Sequence, residues 1–398
     1  MSIIQNLPCF TSDSQPAGLY IHIPFCLRKC PYCDFYSITD QSLQTAFLDA
    51  LASEMNMTCE LDEGFDTLYI GGGTPSVLDI KAIDNIIKTA HQCFNFHSKA
   101  EITMEINPGT VTLEQLNGYR QSGVNRISIG VQSFNSANLD FLQRIHSAEE
   151  ARMAIKWAQK VGYENIGIDL IYGIPGQTTS SWLKDLHSAV GFHPQHLSCY
   201  MLSFEPGTPM HKNLQNRVFT LLPEHLVCEL FEITQSFLNA NGYVQYEISN
   251  FAHEVIDESG FKSVQPNISR HNLKYWNFSP YIGLGPSAHS FIEPQRYWNH
   301  SNVKKYIQDL SAGRLPQAGK ESLSREQFMI EAIYLGLRQA KGIVVDAFDR
   351  TFGVNFGKMN AETIVDLEIK GLMEFSKTRC ALTPKGMLFL DSIAAMFI

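Results

Sequence analysis

The chain has 398 residues, 44% of them hydrophobic, and forty acidic against thirty-one basic side chains leave it with a net charge of -9. That is apolar material for one large domain and a smaller one, and with no Lys/Arg block in the sequence, nucleic acid is excluded as an expected partner. A spanning helix is excluded too: no stretch approaches ~20 apolar residues, and the best candidate, Met387 to Ile398, is short and interrupted by Asp391.

Met1 to Gln15 is polar-mixed, without a basic region leading into an apolar run, so no export signal is expected. Cys9, Cys59, Cys93, Cys199, Cys228 and Cys380 are scattered singly, as inert core thiols in a reducing, cytoplasmic location would be. Gly18 to Ile23 reads as a strand that Pro24 stops. Immediately after it stand Cys26, Cys30 and Cys33, spaced C-x3-C-x2-C. Three cysteines cannot pair off as disulfides without leaving one thiol over, but as thiolates they can converge on one metal centre. Structural zinc wants four protein ligands, and with no second Cys or His pair at matching spacing His22 would have to be the fourth. A four-iron cluster with one open iron needs only these three. The remaining alternative is three structural thiols that pack as small hydrophobes.

Helical spacing of Leu43, Phe47, Leu51 and Met55 predicts the next element, and Thr67 to Ile70 is a strand ended by Gly71-Gly72-Gly73-Thr74-Pro75. Then follow a helix over Ile80 to Cys93, a strand over Ala100 to Ile106, a helix over Thr112 to Gln121 and a strand over Val124 to Ile129. A helix over Ala148 to Val161, a strand over Asn165 to Leu170, a helix over Trp182 to Val190, a strand over His196 to Leu202 and a helix over Pro223 to Asn239 complete the run. Parallel strands need crossovers, so six strand-helix units imply an α/β fold, an incomplete (β/α)6 barrel over residues 1–241. The reactive face of such a barrel lies at the C-terminal strand ends. There the sequence puts the cysteine loop, the Gly-Gly-Gly-Thr turn, Glu105, Gln132, Asp169 and Ser203. Arg126 and Arg144 both lie near strand 4, and either guanidinium could serve a carboxylate.

The cysteine spacing, with Tyr32 before the last cysteine, resembles that of the radical S-adenosylmethionine (SAM) proteins. Over nearly its whole length the chain is similar to the radical SAM family of oxygen-independent coproporphyrinogen III oxidases. Beside the cysteines, the motifs that carry this are Gly71 to Pro75, Glu105-x-Asn107-Pro108-Gly109, Gly130 to Phe134 and Asp169 to Gly176. The resemblance implies a radical SAM barrel with a 4Fe-4S cluster on Cys26, Cys30 and Cys33. It implies SAM contacts at Tyr20, Tyr32, Gly72, Gly73 and Thr74 on one side and Glu105, Gln132, Arg144 and Asp169 on the other, with Arg144 rather than Arg126 on the SAM carboxylate. Two departures separate the chain from the oxidase branch: Phe35 stands where a further cysteine is expected, and the segment before the first strand is short. Both match the heme chaperone (HemW) branch, which implies binding of heme and its transfer to acceptor proteins, membrane-associated respiratory enzymes among them, with a homodimer as one possible assembly. The alternative is the oxidase itself, in which SAM cleavage yields a 5'-deoxyadenosyl radical that starts oxidative decarboxylation to protoporphyrinogen IX.

Past Gly242 the composition changes. Residues 242–320 read as a linking segment, with His253 to Ser269 as a loop and His271-Asn272-Leu273-Lys274-Tyr275-Trp276 after it. A neutral imidazole beside aromatics suits heme iron, and by the chaperone resemblance His271 is the expected ligand, with His289 in reserve. Residues 321–398 form a smaller, helix-rich C-terminal domain, winged-helix-like in expectation, with Met329, Ile330, Ile333 and Leu337 as an apolar stripe.

Overall fold

The structure, a computed structural model, describes residues 15–59, 64–256 and 262–397. The expectations for the leader and Cys9, for the middle of the 253–269 loop and for Ile398 lie outside the described residues. Strand β1 (Ala17–Ile23) is followed by α1 (Gln44–Thr58), β2 (Gly64–Gly72), α2 (Ile80–Cys93), β3 (Asn95–Ile106), α3 (Leu113–Gln121) and β4 (Arg126–Gln132). Two helices then precede the next strand, α4 (Ser136–Phe141) and α5 (Ala148–Lys160), before β5 (Ile166–Tyr172), α6 (Thr179–Val190) and β6 (His196–Met201). Helices α7 (Pro209–Gln215) and α8 (Glu224–Ala240) end this part.

Strands β1 to β6 pair side by side and parallel, as an open barrel wall. The expected six-unit incomplete barrel is present. Each strand alternates. Leu19, Ile21, Leu68, Ile70, Ile127, Ile129 and Ile168 sit in the main apolar core with residues of the helices, among them Ile83, Ile86, Leu116, Ile155 and Leu186. Burying each such side chain stabilises by about 1.5–3 kcal/mol. The residues between them, such as Tyr69, Glu105, Arg126, Ser128, Asp169 and Ser198, line a cavity inside the barrel.

Local signals explain the boundaries. Asp79 accepts from Ala82 N to start α2, and capping boxes open α3 (Thr112 with Gln115), α5 (Ser147 with Glu150) and α6 (Thr178 with Ser181). The cap moves the start of α6 three residues ahead of the expected Trp182, because its first turn, Thr179-Ser180-Ser181, has no apolar residue to show a period. Helices α4 and α7 escaped the sequence reading because six or seven residues are too few for a periodic stripe.

Residues 242–320 are not a linker: they supply both edges of a twelve-stranded sheet. Strands β7 (Tyr243–Gln245) and β8 (Asn250–His253) extend the β6 edge antiparallel. A short pair, β9 (Val255–Ile256) and β10 (Lys262–Ser263), occupies part of the expected loop. After helix α9 (Arg270–Trp276), β11 (Tyr281–Leu284) returns to pair parallel with β1. Strands β12 (His289–Ile292) and β13 (Gln295–Asn299), helix α10 (Val303–Ser311) and strand β14 (Gln317–Ser322) complete that edge as an antiparallel meander.

The C-terminal part holds α11 (Arg325–Arg338), β15 (Ile343–Val344), α12 (Val345–Phe352), α13 (Phe356–Met359) and α14 (Ala361–Ile369). It ends with β16 (Met373–Phe375), β17 (Arg379–Leu382), α15 (Pro384–Met387) and α16 (Leu390–Ala394). Helices pack there around a three-stranded antiparallel sheet in the order β15-β17-β16. The buried face of α11 is Phe328, Ala332, Ile333 and Leu337, rotated slightly from the expected stripe. Among the described residues no helix is long and apolar enough to cross a membrane.

Candidate cofactor site on the barrel rim

The cysteine loop leaves β1 at Pro24 and is tied down at both ends. Cys26 N donates to Ile38 O at 2.9 Å, Ile38 N donates to Pro24 O at 2.7 Å, and Cys33 N closes a turn on Cys30 O at 3.2 Å. Tyr32 packs beneath the loop on a separate apolar cluster of Leu142, Ile171, Ile174, Leu202 and Met210. The loop is thereby held over the C-terminal ends of the strands.

The Gly-Gly-Gly-Thr turn lies beside it for steric reasons. Gly72 has φ +107, and a Cβ there would meet the His22 ring at 2.6 Å; one on Gly73 would meet Phe25 O at 2.8 Å. Gly73 N donates to Ile23 O at 2.8 Å, so the turn after β2 is pinned to the end of β1, and Thr74 Oγ1 donates to Cys26 Sγ at 3.3 Å.

Arg144 is delivered by α4, the helix the sequence concealed. The chain turns back at Gln143 (φ 52), and Arg144 N donates to Leu139 O at 2.9 Å. Its Nη2 donates to Gly130 O at 2.9 Å, while Nη1 reaches Cys30 Sγ at 3.5 Å and the Tyr32 hydroxyl at 3.4 Å. Its buried Nε has no hydrogen-bond partner among the described residues. Arg126 starts β4 at the opposite end of that strand, so the two arginines serve different depths of the barrel.

Glu105 accepts from the Tyr69 hydroxyl at 2.8 Å and from Gly72 N at 3.1 Å. Burial, and secondarily Asp169, push its carboxyl up to about 7. Asp169 lies within β5 rather than at its end, since the strand runs on to Tyr172; Ser128 Oγ donates to both its oxygens at 3.0 Å, and burial raises its carboxyl. Gln132 ends β4 at φ 66 and folds its amide toward Gly130, where a Cβ would lie 3.0 Å from Nε2. Ser133 and Phe134 of the same motif are anchored on buried Asp185, by Ser133 Oγ at 2.5 Å and Phe134 N at 2.8 Å. A cavity of about 620 Å³ joins these residues. It is lined by Tyr32, Cys33, Gly72, Gly73, Thr74, Glu105, Gln132, Arg144 and Asp169, and also by Arg126, Ser128, His196, Ser198 and Asn272 from deeper in the barrel. Of the lining set, Tyr69, Ser128 and Ser198 escaped the sequence reading; their only signal is that they share a strand face with Glu105 or Asp169.

The donor set suits a cluster. Three soft thiols come from one pinned loop, a guanidinium with an unpaired buried Nε lies beside them, and burial pushes the Cys33 thiol up to about 11, a group that metal coordination rather than solvent would ionise. His22 does not join them. Its Nδ1 meets the Tyr20 hydroxyl at 3.0 Å and its Nε2 meets Tyr36 O at 2.8 Å, so the zinc alternative loses its fourth ligand. Tyr20 itself stands outside the cavity lining, in an aromatic layer with Tyr69 and His271.

His271 is where the geometry departs most from expectation. Helix α9 plugs the end of the barrel away from the cysteines: Glu101 accepts from Arg270 N and His271 N at 3.1 and 3.2 Å, and Lys274 pairs with Asp66 at 2.6 Å. His271 is fully buried, with Nδ1 on Thr67 Oγ1 at 2.8 Å and Nε2 on the Tyr275 hydroxyl at 3.0 Å. Neither ring nitrogen is open to iron in this conformation. His289, exposed at the start of β12, stacks on Trp298 and does not line the cavity.

Residues 20–189 match the radical SAM superfamily, and residues 323–389 match the HemN C-terminal domain. Over 395 residues the chain is 38% identical to the heme chaperone HemW of Escherichia coli (strain K12), covering 96% of this chain and 98% of that protein. It is 33% identical over 384 residues to the heme chaperone HemW of Bacillus subtilis (strain 168), covering 95% and 98%. In fold it is similar to coproporphyrinogen III oxidase (HemN) from Escherichia coli, a radical SAM enzyme, with a TM-score of 0.81 and 24% identity over 96% of this chain and 90% of that one.

Proposed function

Because the chain belongs to the radical SAM superfamily, and within it to the family of the heme chaperone HemW, we propose that it is a cytoplasmic heme chaperone that binds heme and passes it to an acceptor protein. Membership of the superfamily implies a 4Fe-4S cluster and SAM. Cys26, Cys30 and Cys33 would hold the cluster, which when bound supplies an open iron and an electron. Arg144 would orient the SAM carboxylate with donors it already holds out of water. Glu105 and Asp169 would offer acceptors to the amine and ribose, and the backbone of Gly72 and Gly73 would lie close against the methionyl end, where any side chain is sterically barred.

The observation that carries the chaperone over the oxidase reading is Phe35. Where the oxidase branch is expected to hold a further cysteine, this chain presents an aromatic ring, 68% exposed, at the mouth of the cavity. For heme, iron ligation by His271 requires the Tyr275 hydroxyl to leave Nε2, so it belongs to a conformation in which α9 has shifted from the barrel floor.

The test is an anaerobic assay of the cluster-reconstituted chain with coproporphyrinogen III, SAM and a reductant, following loss of propionate carboxyls, with hemin titration in parallel. Stoichiometric hemin binding without decarboxylation is expected. Decarboxylation would make this an oxidase in spite of Phe35.

A further inference from the structure

At the floor of the barrel stands a buried arginine that no carboxylate bridges among the described residues. Arg126 is 2% exposed, and among the described residues its Nε has no hydrogen-bond partner. A buried charge without a partner is costly to maintain. Asp169, which feels the Arg126 charge without bridging it, is hydrogen-bonded by the Ser128 and Ser198 hydroxyls, and Glu105 by Tyr69 and Gly72.

Next to Arg126 is a second unused donor. His196, 1% exposed, meets the Tyr246 hydroxyl through Nε2 at 2.8 Å, while its buried Nδ1 has no hydrogen-bond partner among the described residues. In the tautomer in which the Tyr246 hydroxyl donates to Nε2, the imidazole proton resides on Nδ1 and leaves it a free donor. Between the two donors lies Gly167, which pairs with Ser128 on one side and His196 on the other. A Cβ on Gly167 would lie 3.3 Å from Ser128 Oγ, 3.5 Å from Arg126 Nη2 and 3.5 Å from His196 Nδ1. The missing side chain thus leaves a small space ringed by polar atoms, and Arg126, Ser128 and His196 all line the cavity that opens at the rim.

We propose that the barrel floor is a carboxylate-binding subsite, with Arg126 Nη2 and His196 Nδ1 as donors and the space at Gly167 as its seat, and that it takes the alkyl-carboxylate arm of a ligand lodged in the cavity. A cationic fork beside a neutral N–H donor discriminates for a carboxylate over an alcohol or amide. The proposal deepens the heme reading, since porphyrin propionates are such arms, and a free short-chain carboxylate shares the same chemistry.

The experiment is calorimetric titration of the cluster-reconstituted full chain with hemin, with hemin dimethyl ester and with propionate, for the native sequence, Arg126→Gln and Gly167→Ala, each checked for folding by thermal unfolding. Gly167→Ala only fills the seat and leaves every donor in place. Hemin bound at least tenfold tighter than its ester by the native chain, with the ratio reduced to about twofold in both variants, is the expected result. Equal binding of hemin and ester overturns the subsite and leaves the heme reading standing. If the native chain binds no hemin, the heme reading falls, and propionate decides: heat on titration that disappears in both variants upholds the subsite for free carboxylates, and no heat overturns it.

Discussion

Thr67 and His271, 204 residues apart in the chain, meet in a 2.8 Å hydrogen bond that fastens helix α9 to strand β2. With Tyr275 on the other nitrogen, the ring is locked as a neutral imidazole, its pKa lowered to about 3 by burial and by the nearby Lys274 and Arg126 charges. If iron ligation at His271 requires this lock to open, part of the intrinsic heme affinity is lost to the closed population. Thr67→Val, which removes one fastening and no ligand, should therefore tighten hemin binding severalfold, while His271→Ala weakens it. Unchanged affinity in both variants would remove His271 from heme binding altogether.

Arg144 should not tolerate replacement by lysine. Its fork spans Gly130 O, Cys30 Sγ and the Tyr32 hydroxyl and still has Nε to spare, a geometry a single ammonium cannot reproduce. Arg144→Lys is expected to weaken SAM binding to the reconstituted chain at least tenfold by equilibrium dialysis, whereas Arg126→Gln leaves SAM binding within about threefold. The reverse order would exchange their roles.

Asp185 supports the rim from behind. Asp185→Ala would leave Phe134 N and Ser133 Oγ buried without their acceptor, at a cost of about 2–4 kcal/mol in urea unfolding. Because Gln132 adjoins Ser133, SAM affinity should fall as well. A loss of stability under about 0.5 kcal/mol would mean that water replaces the carboxylate.

Glu54 gives the fold a pH dependence of known sign. It is 2% exposed and accepts from Tyr306 and Asn299 at 2.6 Å and from Gly285 N at 2.8 Å, yet burial pushes its carboxyl from 4.5 up to about 7. The folded state therefore holds the proton more tightly than the unfolded chain does. Its contribution is full below pH 4.5 and is lost as pH rises to about 7, a change of about 3 kcal/mol. His22 and His146, both lowered to about 4, act in the opposite direction, but they are common to the native chain and Glu54→Gln and cancel between them. The difference in unfolding free energy between the two should fall over that window and be flat above it. A difference independent of pH would show that the carboxyl titrates normally.

The C-terminal part is coupled to the plug. Arg338 pairs with fully buried Glu247 at 3.0 Å and lies over the Trp276 ring at 4.3 Å. Arg338→Ala would strand the Glu247 charge and cost about 3–5 kcal/mol, read by denaturant unfolding, with Glu247→Gln in the same background restoring part of it. Failure of that rescue would assign the loss to packing on Trp276 instead.

What the sequence determined by itself was local. Alternating apolar residues on the strands, the cap residues Asp79, Thr112, Ser147 and Thr178, and punctuation at Pro24 and Gly71 to Pro75 are short-range signals, and they produced the six parallel units and the cysteine loop at their rim. The rim positions of Glu105 and Gln132 were legible for the same reason, each standing next to a strand end, whereas Asp169 lies within β5 and Arg144 was singled out only by the family resemblance. Tertiary structure alone decided what depends on long-range pairing. Residues 242–320 could not be seen as two sheet edges because strands of two to six residues find their places through hydrogen-bonded neighbours that lead back to β1 and β6, not through their own pattern. His271 looked like an open ligand because no local feature announces that Thr67 will occupy one nitrogen. By position alone Arg126 and Arg144 looked equivalent, and only the family resemblance favoured Arg144; the barrel puts one at the floor and the other beside Cys30, and there burial and the absence of a salt bridge among the described residues give Arg126 a chemistry of its own.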